Sequence, residues 1–161
     1  MARLDLDSIA KVVRPNRGVD VGLGTFKKNM NRYNINTQPY YQRELRWTQQ
    51  QKISFIENFL REVRMPNIIV NQCNLSDEGK VIDGQQRINA IIDFLDDKVE
   101  VFGGYVYSQI DGISDFCNIR FEFTEFKTEK ECVRYYLDMI EGTTGHTELE
   151  VKKAMDYYNS L

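Results

Sequence analysis

The stretch Lys80-Val81-Ile82-Asp83-Gly84-Gln85-Gln86-Arg87-Ile88-Asn89-Ala90-Ile91-Ile92 changes its period in the middle. Val81 and Ile82 read as the end of a buried strand, whereas Ile88, Ile91, Ile92 and Leu95 recur at helical spacing. Gly84 permits the sharp strand-to-helix turn between them. A helix opened there presents the N–H groups of Gln85, Gln86 and Arg87 together with the positive end of its dipole, a place where an anion fits. Arg87 in the first turn opposes that dipole, and a bound phosphate would resolve the conflict. Asp83 followed three residues later by Gln86 also satisfies a capping box, so the same residues can simply start a helix. Gln85, Gln86, Arg87 and Asn89 nevertheless crowd hydrogen-bonding capacity onto two turns whose other face is core, which favours a ligand.

Working outward, Ile68-Ile69-Val70 within 67–71 is a short apolar run of the kind that forms a buried strand, joined to Lys80–Asp83 by the turn Ser76-Asp77-Glu78-Gly79. Thr48 with Gln51 caps a helix running to about Val63, with Ile53, Ile56, Phe59, Leu60 and Val63 facing inward and Pro66 ending it. Tyr33–Thr37 suits a short strand. Gly103-Gly104 between Val99–Phe102 and Tyr105–Tyr107 signals a two-residue hairpin, and 120–126 alternates as a strand. Thr128 opens a helix to Ile140, and Thr147 with Glu150 starts a last one carrying Val151, Ala154, Met155 and Tyr158. Helices and short strands mix without βαβ repetition, which predicts an α+β fold with a small mixed sheet and about four helices.

The chain of 161 residues holds one substantial core, with 42% hydrophobic and 28% charged residues. Net charge −3 hides an asymmetry, because residues 1–32 carry 7 basic and 3 acidic groups and the remainder 14 and 21. Gly18, Gly22 and Gly24 within 14–31 read as loop, so residues 1–31 are expected to form a basic arm and 32–161 the folded body. The arm is a candidate DNA contact. Cys73, Cys117 and Cys132 are odd in number and widely spaced, against a disulfide framework or a zinc site, and the lone His146 rules out a histidine pair. Any metal is then a hard cation such as Mg2+ on carboxylate and phosphate oxygens. No apolar run approaches the about 20 residues that cross a bilayer and no leader is visible, so a cytoplasmic protein with no membrane partner is expected.

Tyr41-Gln42-Arg43, Trp47, a helix carrying Ile56-Glu57, Met65-Pro66 before a strand, and then Val81-Ile82-Asp83-Gly84-Gln85-Gln86-Arg87 resemble, in this order, the DGQQR family of ParB/sulfiredoxin-like domains. That family includes the N-terminal domain of GmrSD-type modification-dependent restriction enzymes. Tyr136-Leu137 and the run Glu141-Gly142-Thr143-Thr144-Gly145-His146-Thr147-Glu148 with Glu150 resemble its later segment, and the likeness covers about 33–158. It implies a ParB-like fold in which the DGQQR turn contacts nucleotide phosphates and Arg43 faces the same pocket. It also implies an association with nucleoside-triphosphate hydrolysis or nuclease action on modified DNA. With one histidine and an end at Leu161, the chain looks like a compact stand-alone version such as phages or other mobile elements carry.

The expected roles divide by chemistry. Gly84, Gln85 and Gln86 offer N–H and amide donors, and Arg87 and Arg43 offer planar charge, for phosphate. Asp83 and Glu57 are the carboxylates available for catalysis, Asp83 also for a metal, while Asp83 as a helix cap and Glu57 as an exposed helix charge are the plainer roles. Tyr41, Gln42, Trp47, Asn89 and His146 are candidates for base or supporting contacts, and Tyr40, Tyr41 and Trp47 equally for packing. The function expected is a Mg2+-dependent nucleoside-triphosphate hydrolase linked to restriction or anti-restriction. The alternatives are a non-catalytic module that engages a protein partner, and a small DNA-binding nuclease.

Overall fold

The computed structural model describes residues 17–40, 47–141 and 146–161. Among these, β1 (Arg17–Gly22), β2 (Ile35–Asn36), β3 (Ile68–Asn71), β4 (Gly79–Asp83) and β5 (Asn118–Thr124) form one mixed sheet in the order β1-β5-β3-β4-β2. β1 runs antiparallel to β5 and β4 antiparallel to β3, whereas β3 is parallel to β5 and β2 parallel to β4. The helices are α1 (Phe26–Arg32), α2 (Gln49–Leu60), α3 (Gln85–Leu95), α4 (Glu129–Glu141) and α5 (Glu148–Ser160). The chain is α+β, as the intermixed patterns predict.

Strand alternation distributes side chains between two cores. Val21, Ile68, Val70, Val81, Ile119, Phe121 and Phe123 pack on one face against Phe26 and Met30 of α1, Ile56 and Phe59 of α2, and Ile88, Ile91 and Phe94 of α3. Ile82 and Ile69 point the other way, toward Val133, Tyr136 and Leu137 of α4 and Ala154 of α5. Both faces of β3 and β4 are therefore covered. On β1 and β5 the second face stays polar, with Arg120 pairing Asp20 at 3.2 Å.

Residues 17–31 correct the reading of 1–31 as a loop-rich arm. β1 hydrogen-bonds along β5, and Val21, Leu23, Phe26 and Met30 are buried. Arg17 lies over the Phe123 ring at 4.3 Å and Lys27 pairs with Asp96, so these cations serve the fold. Lys28 of the basic arm is exposed, and Arg3, Lys11 and Arg14 fall outside the described residues. Local sequence concealed β1 because its register comes from a partner about a hundred residues away, and a glycine-containing edge strand has weak propensity of its own.

Helix ends differ in smaller ways. Thr48 and Gln51 form the expected box, with Gln51 N–H on Thr48 Oγ1 at 3.2 Å and Thr48 N–H on Gln51 Oε1 at 2.9 Å. Thr128 with Glu131 and Thr147 with Glu150 do the same. α2 stops at Leu60, not near Val63, because Glu62 turns left-handed (φ 62°) and Val63 N–H closes back on Asn58. Val63 is consequently exposed. The Gly103-Gly104 hairpin reduces to one bridge, Val101 to Tyr105, around Phe102 at φ 50°. In α5 the buried positions are Glu150 and Ala154, while Val151 and Met155, expected inside, are exposed.

Because Phe26 is fully enclosed against Phe121 (ring centroids 5.9 Å apart), Phe26→Ala is expected to lower unfolding free energy by about 3–5 kcal/mol. Deletion of 1–31 is expected to abolish cooperative urea unfolding. A truncated chain that still melts cooperatively would return those residues to the role of a dispensable arm.

Candidate functional site

The turn from β4 into α3 is built around Gly84. Its φ of +109° is left-handed, and a Cβ there would stand 2.8 Å from Ile68 Cγ1 and 3.2 Å from Ile68 Cα. Only glycine satisfies both conditions. Gly84 is also the N-cap, so α3 begins with no side chain to cap it, unlike α2, α4 and α5 with their threonines. Asp83 does not act as the cap. Its Oδ2 instead accepts from Arg87 Nη2 at 2.8 Å, which answers the unfavourable placing of a cation in the first turn.

Arg87 is held more tightly than the sequence suggests. The same Nη2 donates to the backbone oxygen of Asn67 at 3.0 Å, and the side chain is only 15% exposed. Its Nε–H is buried and has no acceptor among the described residues. Burial of the stem and two hydrogen bonds make it a strut between the start of β3 and α3. Asn67 in turn donates through Nδ2 to Glu122 Oε1 at 2.9 Å, and Glu122 lies 3.8 Å from Arg120. A polar line thus runs from Asp83 through Arg87, Asn67 and Glu122 to Arg120. Tyr135 of α4 borders it, for burial first, and then the charges of Glu122 and Asp83, push its phenol above the ordinary tyrosine value.

Gln85 and Gln86 open α3. Both are buried, and Gln86 Oε1 accepts the backbone N–H of Trp47 at 3.2 Å. That bond ties the segment entering α2 to the first turn of α3. Asn89 bonds back to the Gln85 carbonyl at 2.9 Å within the helix. The Trp47 ring packs on Phe55, 5.2 Å between centroids, which favours its packing role. His146 sets its ring against Tyr136 of α4 at 6.2 Å. Tyr41, Gln42 and Arg43 lie outside the described residues, while their flanks are placed: Tyr40 rests on Tyr157 and Trp47 on Gln86.

Glu57 is engaged elsewhere, with Oε1 accepting Phe102 N–H at 2.7 Å. It shares no partner with Asp83, and the contacts of the described residues do not join the two carboxylates. Nor does any group of three His, Cys, Asp or Glu among the described residues stand ready for a metal ion.

The family described as GmrSD restriction endonuclease, N-terminal domain, matches residues 25–161. The chain belongs to this family. Its role is accordingly restriction-related, and the match starts before Arg32, at the buried face of α1. No curated protein and no solved structure matches the chain. Among the described residues no helix is long and apolar enough to cross a membrane.

Sequence reasoning missed Asn67, Glu122 and Tyr135. Asn67, directly before the apolar run of β3, carried a visible signal, being an amide where the strand pattern called for nothing polar; Glu122 and Tyr135 join only through the sheet order. Gly84→Ala is expected to destabilise by at least about 1–2 kcal/mol, because it combines positive φ with the Ile68 clash. Arg87→Ala should cost about 1–3 kcal/mol by stranding the Asn67 carbonyl. Urea titration of both variants checks this, and an unchanged midpoint would show the turn to be ordinary.

Proposed function

We propose that this restriction-family domain binds the phosphate groups of a nucleoside triphosphate at the first turn of α3. The observation that carries the reading is the buried Nε–H of Arg87, which has no acceptor among the described residues. A buried donor left unmade costs about 1–3 kcal/mol, and a phosphate oxygen on that nitrogen would recover it through a charge-assisted bond. Gly84 supports the reading by letting the chain turn tightly against Ile68, so that α3 starts beside Asn67 with its first N–H groups uncapped by any side chain. Asp83 Oδ2 and the Asn67 carbonyl both accept from Arg87 Nη2, which orients the guanidinium and with it the neighbouring Nε–H.

The buried Gln86 accepts Trp47 N–H and so fixes where the chain enters α2; Arg43, which the family resemblance gives a phosphate role, is assigned to the same phosphates. Binding is the function proposed; hydrolysis would need a positioned base, and Glu57 is committed to Phe102. In this reading phosphate is held by N–H donors and guanidinium, so affinity does not need Mg2+.

The test is thermal shift and calorimetry with inorganic tripolyphosphate and each nucleoside triphosphate, with Mg2+ and with EDTA. Wild type should melt higher with tripolyphosphate in either medium, since a ligand of the native state stabilises it by mass action. Arg87→Lys keeps the charge and removes the Nε–H, and should weaken binding at least about tenfold. Equal affinity in that variant would overturn the assignment.

A further inference from the structure

Apart from the α3 turn, α5 and Tyr40 border a groove of about 490 Å3 lined by Tyr40, Leu149, Lys152, Lys153, Asp156, Tyr157 and Ser160. Tyr40 follows the buried Pro39, whose fixed φ sets its exit, yet 66% of the tyrosine is exposed. Its ring meets Tyr157 at 4.8 Å, and Lys153 Nζ stands 5.2 Å from its centroid. Tyr157 is itself braced: Glu129 accepts from it and is paired with Lys80 of β4 at 3.1 Å. The aromatic wall is thereby tied to the sheet. Lys152 and Lys153 have no carboxylate within ion-pair distance among the described residues, although Asp156 lines the same groove.

An exposed aromatic ring flanked by lysines that make no ion pair among the described residues is the combination that holds an unpaired nucleic-acid strand, the ring stacking on a base and the ammonium groups meeting phosphates. We propose that this groove binds single-stranded nucleic acid, with a base stacked on Tyr40 and the flanking phosphates on Lys152 and Lys153. The proposal goes beyond the phosphate site of α3 and does not use Arg87. A stretch of acidic protein would find the same cations, but it has no use for a braced, outward-facing ring.

The experiment is fluorescence anisotropy of a labelled mixed-sequence 15-nucleotide strand, as deoxy and ribo versions, against the full chain, with the matching duplex alongside. Wild type should bind the single strand more tightly than the duplex. Tyr40→Ala should lose about tenfold in affinity and Tyr40→Phe should retain it, because the ring and not the hydroxyl stacks. Lys152→Ala with Lys153→Ala should reduce the slope of log affinity against log salt by about 1.4, the value for two phosphates on a single strand. Each variant should keep the wild-type melting temperature, and Arg87→Lys should bind the strand normally, which separates this groove from the α3 site. No strand binding by wild type would overturn the proposal and leave the groove to a protein partner. Affinity and salt slope unchanged in both groove variants would overturn it as well.

Discussion

Everything at the candidate site depends on how closely β4 can pass β3 before the chain turns into α3. Gly84 at φ +109° lies against Ile68, and no side chain fits between them. That contact sets the start of α3 next to Asn67, and so brings Arg87 within 3.0 Å of the Asn67 carbonyl. A bulkier residue would move the helix away from the strand and separate Arg87 from both of its acceptors. The local turn, the packing of Ile68 in the core and the orientation of the guanidinium are one geometric condition.

The charge arrangement decides what that geometry can do. Arg87 is neutralised by Asp83 and has Glu122 one residue beyond Asn67, so the site is not a simple cationic patch. Its capacity for an anion rests on direction: Nη2 is engaged, and the buried Nε–H beside it has no acceptor among the described residues. A planar fork of donors discriminates by orientation where a lysine would offer only charge. Gln86 contributes at one remove, through Trp47 and the segment before α2.

Much of this was legible in the sequence. Threonines followed three residues later by Gln or Glu marked the starts of α2, α4 and α5, since a capping box is local and needs no tertiary partner. Gly84 announced the turn. What could not be read was nonlocal: β1 exists because β5 pairs with it, and α1 is too short for two apolar residues, Phe26 and Met30, to display a period. Asp83 shows the limit most clearly, because the capping-box spacing to Gln86 was present while Gly84 took the cap and freed Asp83 for Arg87. In α5 the packing of Tyr157 and Tyr158 against α4 set the rotation of the helix and left Val151 and Met155 outside.

The central claim is that a phosphate oxygen completes the hydrogen bonding of Arg87, and the arginine itself can report on it. With the protein 15N-labelled at arginine, the Nε–H resonance of Arg87, assigned by its loss in Arg87→Lys, is followed during titration with inorganic tripolyphosphate. The account predicts that this signal moves downfield and its exchange with water slows as the site fills. A signal that stays fixed at saturating tripolyphosphate would contradict it.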